Sequence, residues 1–266
     1  MKNLAKLFGL TLVLTAASSC AVSMKMHGNR FESSEVYGKT AFRMKADYRG
    51  QANVELTPDY TLYAPNTTNP DVGPTHNAVI GGGLGIKDRF ELGFDTTWGV
   101  TGKFQILGAP KLRADEGNFS LSVLGTIAAN SDDQSGSGWF SSNSYKIHME
   151  YTTYSAALLA GYRPDRLINF YFGPFVENGE YKGNYEVIGT SNTSFDGKGQ
   201  NRGGLIGMEI GTPRITAILE GAWNHVESAR SRNSFWVAGT QVIITFGSVK
   251  DSSKSNESSS SVASRY

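Results

Sequence analysis

From Trp236 to Phe246 the chain places Trp236, Ala238, Thr240, Val242, Ile244 and Phe246 on one parity, a period-two pattern that is apolar at both ends and in between. Such alternation puts successive side chains on opposite faces, so the segment reads as a strand with one apolar face. At about 3.3 Å per residue and a tilt near 40°, the distance from Trp236 to Phe246 is roughly 25 Å, the height of an apolar band between two aromatic girdles. The pattern recurs upstream, with apolar faces along Ala52–Leu62, Ala78–Ile86, Phe90–Trp98, Phe104–Ile106, Phe119–Ile127, Tyr154–Tyr162, Ile168–Val176, Ile206–Ile210 and Ile215–Trp223. Together with 31 glycines and only 8 prolines, these segments describe one all-β domain of about ten antiparallel strands.

A glycine followed by alternation that ends in phenylalanine, Gly239-Thr240-Gln241-Val242-Ile243-Ile244-Thr245-Phe246, resembles the closing-strand signal of bacterial outer-membrane β-barrel proteins. Gly239, Val242, Ile244 and Phe246 carry the resemblance. It implies an up-and-down transmembrane β-barrel in the bacterial outer membrane, in contact with its lipid and lipopolysaccharide and delivered by the barrel-assembly machinery. Connection lengths fit that architecture, in which periplasmic turns are short and external loops longer. Lys87-Asp88-Arg89, residues 109–117, Arg163 to Arg166 and Thr212-Pro213-Arg214 lie on one side; Pro65 to His76, a tight turn near Gly99, Asn130 to Ser144, Asn184 to Gln200 and His225 to Ser234 lie on the other. Alternation alone does not say which face meets water, and a soluble barrel with the apolar parity turned inward is the competing architecture. Lys39 to Tyr48 also alternates, leaving eight or twelve strands as alternatives; with Arg49-Gly50-Gln51 as a turn, this stretch reads as part of a lead-in or partial plug on the periplasmic side.

The ends carry different signals. Residues 1–19, with Lys2 and Lys6 ahead of the apolar run Leu7 to Ala17, read as a secretion signal. The lone cysteine, Cys20, follows small residues as in the lipobox of bacterial lipoproteins, which implies lipidation there; Ala17 departs from that pattern. On an even strand count the N-terminus starts on the same side as the C-terminus, where such a lipid would enter the inner leaflet. Residues 20–50 form the lead-in, 51–247 the barrel, and 248–266 a serine-rich tail too polar to fold. A formal net charge of +1 argues against nucleic-acid binding.

With apolar side chains facing lipid, the inward parity holds Glu55, Asp59, Glu91, Asp95, Glu177, Glu209 and Glu220 against Lys103, an acidic lumen. Such carboxylates need water, cations or arginines, and Lys39, Arg43, Lys45 and Arg49 of the lead-in are the candidates to fold in and pair with them. A salt-bridged interior without a passage and a hydrated path for small cationic solutes both follow from this set. Catalysis has thinner support: His225 lies near Glu227 and Ser228 on the external side, which suits a rim-located lipid hydrolase, but no hydrolase motif accompanies them. No metal-ligand spacing and no cofactor fingerprint is present. The sequence therefore points to a non-enzymatic envelope barrel, with lipid hydrolysis and adhesion through the external loops as alternatives.

Overall fold

The computed structural model describes residues 22–39, 41–58, 68–97, 99–137, 144–187, 191–229 and 231–246. The signal segment, Cys20, Asp59 and the serine-rich tail fall outside them. The strands are β1 (Val22–His27), β2 (Phe42–Pro58), β3 (Thr68–Lys87), β4 (Phe90–Asp95), β5 (Gly99–Leu107), β6 (Asn118–Ser137), β7 (Ser144–Asp165), β8 (Ile168–Val187), β9 (Ser191–Gly211), β10 (Ile215–Ser228) and β11 (Ser231–Phe246). Each of β2 to β10 pairs antiparallel with its successor, and β11 pairs with β2, Thr240 to Phe246 against Tyr48 to Phe42. Ten strands thus close an up-and-down barrel, while β1 is an eleventh that pairs only with β2.

Lys39 to Tyr48 is not a separate lead-in. From Phe42 onward it is the first half of β2, and Arg49-Gly50-Gln51 lies in mid-strand rather than in a turn. The reason is a change of partner. Up to Tyr48, one edge of β2 bonds to β11; at Gly50 that edge passes to Asn29, whose N–H donates to the Gly50 carbonyl (2.9 Å) while its side-chain oxygen accepts from the Gly50 N–H (2.9 Å). From Gln51 onward β1 occupies the edge.

The wall has two regimes. Across one zone Trp236, Val242, Ile244 and Phe246 on β11, Leu219 and Trp223 on β10, Ile206 and Ile210 on β9, and Phe170, Phe172 and Val176 on β8 face outward, with Trp236 67% exposed. A contiguous apolar belt of this kind is the exterior of a transmembrane barrel. Beyond it the same outward parity turns polar, to Asn178, Glu180 and Lys182 on β8, Arg202 and Lys198 on β9, and His148 and Glu150 on β7. There the interior becomes apolar instead: Ile147, Met149, Tyr151, Tyr181 and Val226 pack with Val22, Met24 and Met26 of β1 and Ala52, Val54 and Leu56 of β2. The strands therefore rise out of the belt as a water-soluble barrel section, apolar inside and polar outside.

Candidate functional site

The lumen at belt level is occupied. After β1 the chain runs from Gly28 to Tyr37 inside the wall, buried throughout, then turns at Gly38 (φ +100°), a conformation that favours glycine, to enter β2. No period-two pattern marks residues 28–38, because each is shaped by the wall around it rather than by a ladder.

Polar groups of the wall hold this segment at successive levels. Glu177 accepts from the His27 backbone N–H (2.9 Å) and from Arg30 Nη1 (3.0 Å), and lies 3.0 Å from His27 Nδ1. Glu220 accepts from the backbone N–H groups of Arg30 (2.6 Å) and Phe31 (3.0 Å) and from the Tyr171 hydroxyl (2.7 Å). Glu32 receives Arg43 (2.8 Å), Lys103 (3.2 Å) and Lys45 (3.4 Å), and Arg43 also pairs with Glu91. Glu35 pairs with Arg163 and accepts from Asn118 (2.8 Å). Gln105 and Glu91 accept from the N–H groups of Val36 (2.9 Å) and Tyr37 (3.2 Å). At the end with the short turns, Lys111 folds in from the β5–β6 connection, donating to Tyr37 (3.0 Å) and Thr216 (2.8 Å) and pairing with Glu209. At the opposite mouth a polar pocket of about 160 Å³ remains, lined by residues including Lys25, His27, Gln51, Asn130 and Asp132.

The lumen residues read from the sequence thus divide. Glu91, Lys103, Glu177, Glu209 and Glu220 line the filled interior, and Asp95 joins it through Arg49 (3.3 Å), which also clasps Asp47. Glu55 stands beyond the belt, half-buried and opposite Ser23. The lumen is charge-matched rather than acidic: among the described residues Arg30, Arg43, Lys45, Arg49, Lys103, Lys111 and Arg163 face Glu32, Glu35, Asp47, Glu91, Asp95, Glu177, Glu209 and Glu220. Lys111 escaped the sequence reading because it sits in a connection, whose side chains have no parity to read; Arg163 escaped because the sequence assigns it to the turn Arg163 to Arg166, whereas β7 runs on to Asp165 and carries it on the inward parity.

A second constellation lies outside the wall, just past the belt at Trp223 and Trp236. His225 and Ser234 are register partners on β10 and β11, with His225 Nδ1 2.6 Å from Ser234 Oγ and Nε2 2.8 Å from Glu227 Oε1. The hydrogen bond with His225 lowers the Glu227 pKa below its ordinary value; in the tautomer whose Nε2–H donates to that carboxylate, Nδ1 is the acceptor that faces the Ser234 hydroxyl. Ser228 is turned away, its hydroxyl donating to the Lys198 carbonyl (3.3 Å). The Trp223 ring stacks on His225 with centroids 6.1 Å apart, and Arg202 also binds Glu227 (3.0 Å).

No family model and no curated protein matches this sequence. Among solved structures, the attachment invasion locus protein Ail of Yersinia pestis, in complex with the heparin analogue sucrose octasulfate, is similar with TM-score 0.37 and 11% identity, over 77% of this chain and 99% of that one. The outer membrane protease OmpT from Escherichia coli gives TM-score 0.36 and 12% identity over 85% and 93%. The N-terminal β-barrel domain of Pseudomonas aeruginosa OprF gives 0.23 and 14% over 79% and 99%.

Proposed function

We propose that this chain is an integral protein of the bacterial outer membrane, with its short turns in the periplasm, whose sealed barrel serves the envelope structurally and passes no solute. The observation that supports this reading is the charge-matched seat of residues 27–37, which leaves belt-level carboxylates bound to the chain's own N–H groups and cations. The test is conductance of the refolded mature protein in a planar bilayer across a salt gradient. A folded, silent barrel is expected; discrete cation-selective steps, reduced when Glu91 and Asp95 are neutralised, would overturn it.

One observation favours a second reading, a lipid hydrolase at the outer rim: Ser234, His225 and Glu227 stand in relay at headgroup level. A serine activated by a histidine that a carboxylate orients is the nucleophile arrangement of acyl hydrolysis. The check is ester hydrolysis in mixed phospholipid micelles. Release of fatty acid that Ser234→Ala abolishes and Ser228→Ala leaves intact is the expected pattern; equal rates in Ser234→Ala and wild type would remove the reading.

A further inference from the structure

The direction of β1 has a topological consequence. Strand β2 rises from Phe42, which opposes Phe246 at the end with the short turns, to Pro58 at the other. Because β1 is antiparallel to β2, with His27 opposite Gln51 and Val22 opposite Leu56, the chain enters at the far mouth, descends through β1, crosses the whole belt inside the wall, and emerges at Gly38. Val22 and Phe246 thus lie at opposite ends of the barrel.

This crossing has a built seat. Side chains on five wall strands, Glu91, Gln105, Glu177, Glu220 and Asn201, bond to backbone groups of His27, Arg30, Phe31, Val36 and Tyr37. Backbone removed from water must find partners, and here the wall supplies them from top to bottom. Around the mouth, Met24, Met26 and Val22 are sunk in the apolar section above the belt, so withdrawing the segment would expose those side chains and strip the wall carboxylates of their partners.

We propose that the N-terminal segment is a permanent threaded leg, so that the mature chain begins on the external face of the membrane. The proposal rests on the orientation adopted under Proposed function. It reverses the leaflet expected from strand counting. Two residues of chain reach at most about 7 Å, far less than the roughly 25 Å of the belt, so a lipid carried by Cys20 belongs to the outer leaflet and anchors the barrel from outside.

The test is antibody access on intact cells to an epitope inserted between Ala21 and Val22, beside two reference insertions, one in residues 138–143 and one after Asp88. The N-terminal and 138–143 epitopes should stain intact cells, and the Asp88 epitope only after the outer membrane is permeabilised. A silent N-terminal epitope with a bright 138–143 epitope would overturn the threading. A silent 138–143 epitope with a bright Asp88 epitope would instead overturn the orientation. Lys25→Cys keeps the question open if the insertion hinders folding: the side chain is exposed, so labelling of intact cells by a membrane-impermeant maleimide should exceed the wild-type level several-fold. Labelling no higher than wild type, in protein that still shows the heat-shifted electrophoretic mobility of a folded barrel, counts against the proposal.

Discussion

Phe31 of the threaded segment lies over Gly239 of the closing strand, so closely that a Cβ on Gly239 would stand 2.5 Å from the Phe31 Cζ and 2.6 Å from the Tyr48 carbonyl oxygen. The glycine that heads the closing-strand signal therefore also makes room for the chain inside the wall. Phe31 itself holds a left-handed backbone (φ +50°), costly for a bulky residue unless the surroundings enforce it; Glu220, accepting from the N–H groups on both sides of the Arg30–Phe31 link, is that enforcement.

Gly239→Val should loosen this contact. The ring can rotate away, but the Tyr48 carbonyl is backbone at the barrel seam and cannot. The expected result is a lower temperature for the folded-to-unfolded mobility shift in electrophoresis, together with faster protease cutting between β1 and β2. An unchanged transition temperature would show that the approach is not tight.

Removing Arg30 leaves Glu177 buried with the His27 backbone N–H and ring Nδ1 beside it and without its guanidinium partner. Breaking a buried ion pair from one side costs about 3–5 kcal/mol, so Arg30→Ala should lower the urea midpoint markedly. The double replacement Arg30→Met with Glu177→Gln should recover much of the loss, since the uncompensated charge is then gone. A single variant that unfolds within about 1 kcal/mol of wild type would contradict the seat.

Deleting residues 22–39 should turn a silent barrel into a conducting one, because it takes out the segment that fills the belt-level lumen and strips Glu177, Glu220 and Glu91 of backbone donors. Planar-bilayer recordings are the check, and cation preference is expected from the carboxylates left behind. A folded deletion variant that stays silent would mean that Lys111 and the β5–β6 connection close the pore unaided.

His148, beyond the belt, has its pKa raised by the hydrogen bond to Asp133 on the neighbouring strand. A raised folded-state value means that the contact stabilises the β6–β7 extension fully below the unfolded value of about 6.5 and loses that contribution as pH rises through the folded value. Amide hydrogen exchange in this extension should accelerate across that window, and His148→Ala should flatten the dependence. Equal pH dependence in both proteins would assign the effect elsewhere.

The wall was legible because alternation is a property of each strand alone: Phe170, Phe172 and Val176 announce their face without knowing their neighbours. What escaped depends on pairing. Ser234 meets His225 only through the β10–β11 register, so proximity in sequence suggested Ser228 instead. Arg43 and Lys45 looked like lead-in charges because a strand that changes partner at Gly50 reads as two short ones. Residues 28–38 have neither period nor composition to betray them, since their conformation is dictated by Glu177, Glu220 and Gln105 from distant parts of the chain.

The partner exchange at Gly50 also sets a chronology. The pairing of Thr240 to Phe246 with Phe42 to Tyr48 involves the last strand of the wall, and it closes a ring around residues that precede the first. Once that seam is shut, a folded domain fused ahead of Val22 has no route into or out of the ring. Such a passenger has to be carried across while the wall is still open, so threading has to precede closure of the seam.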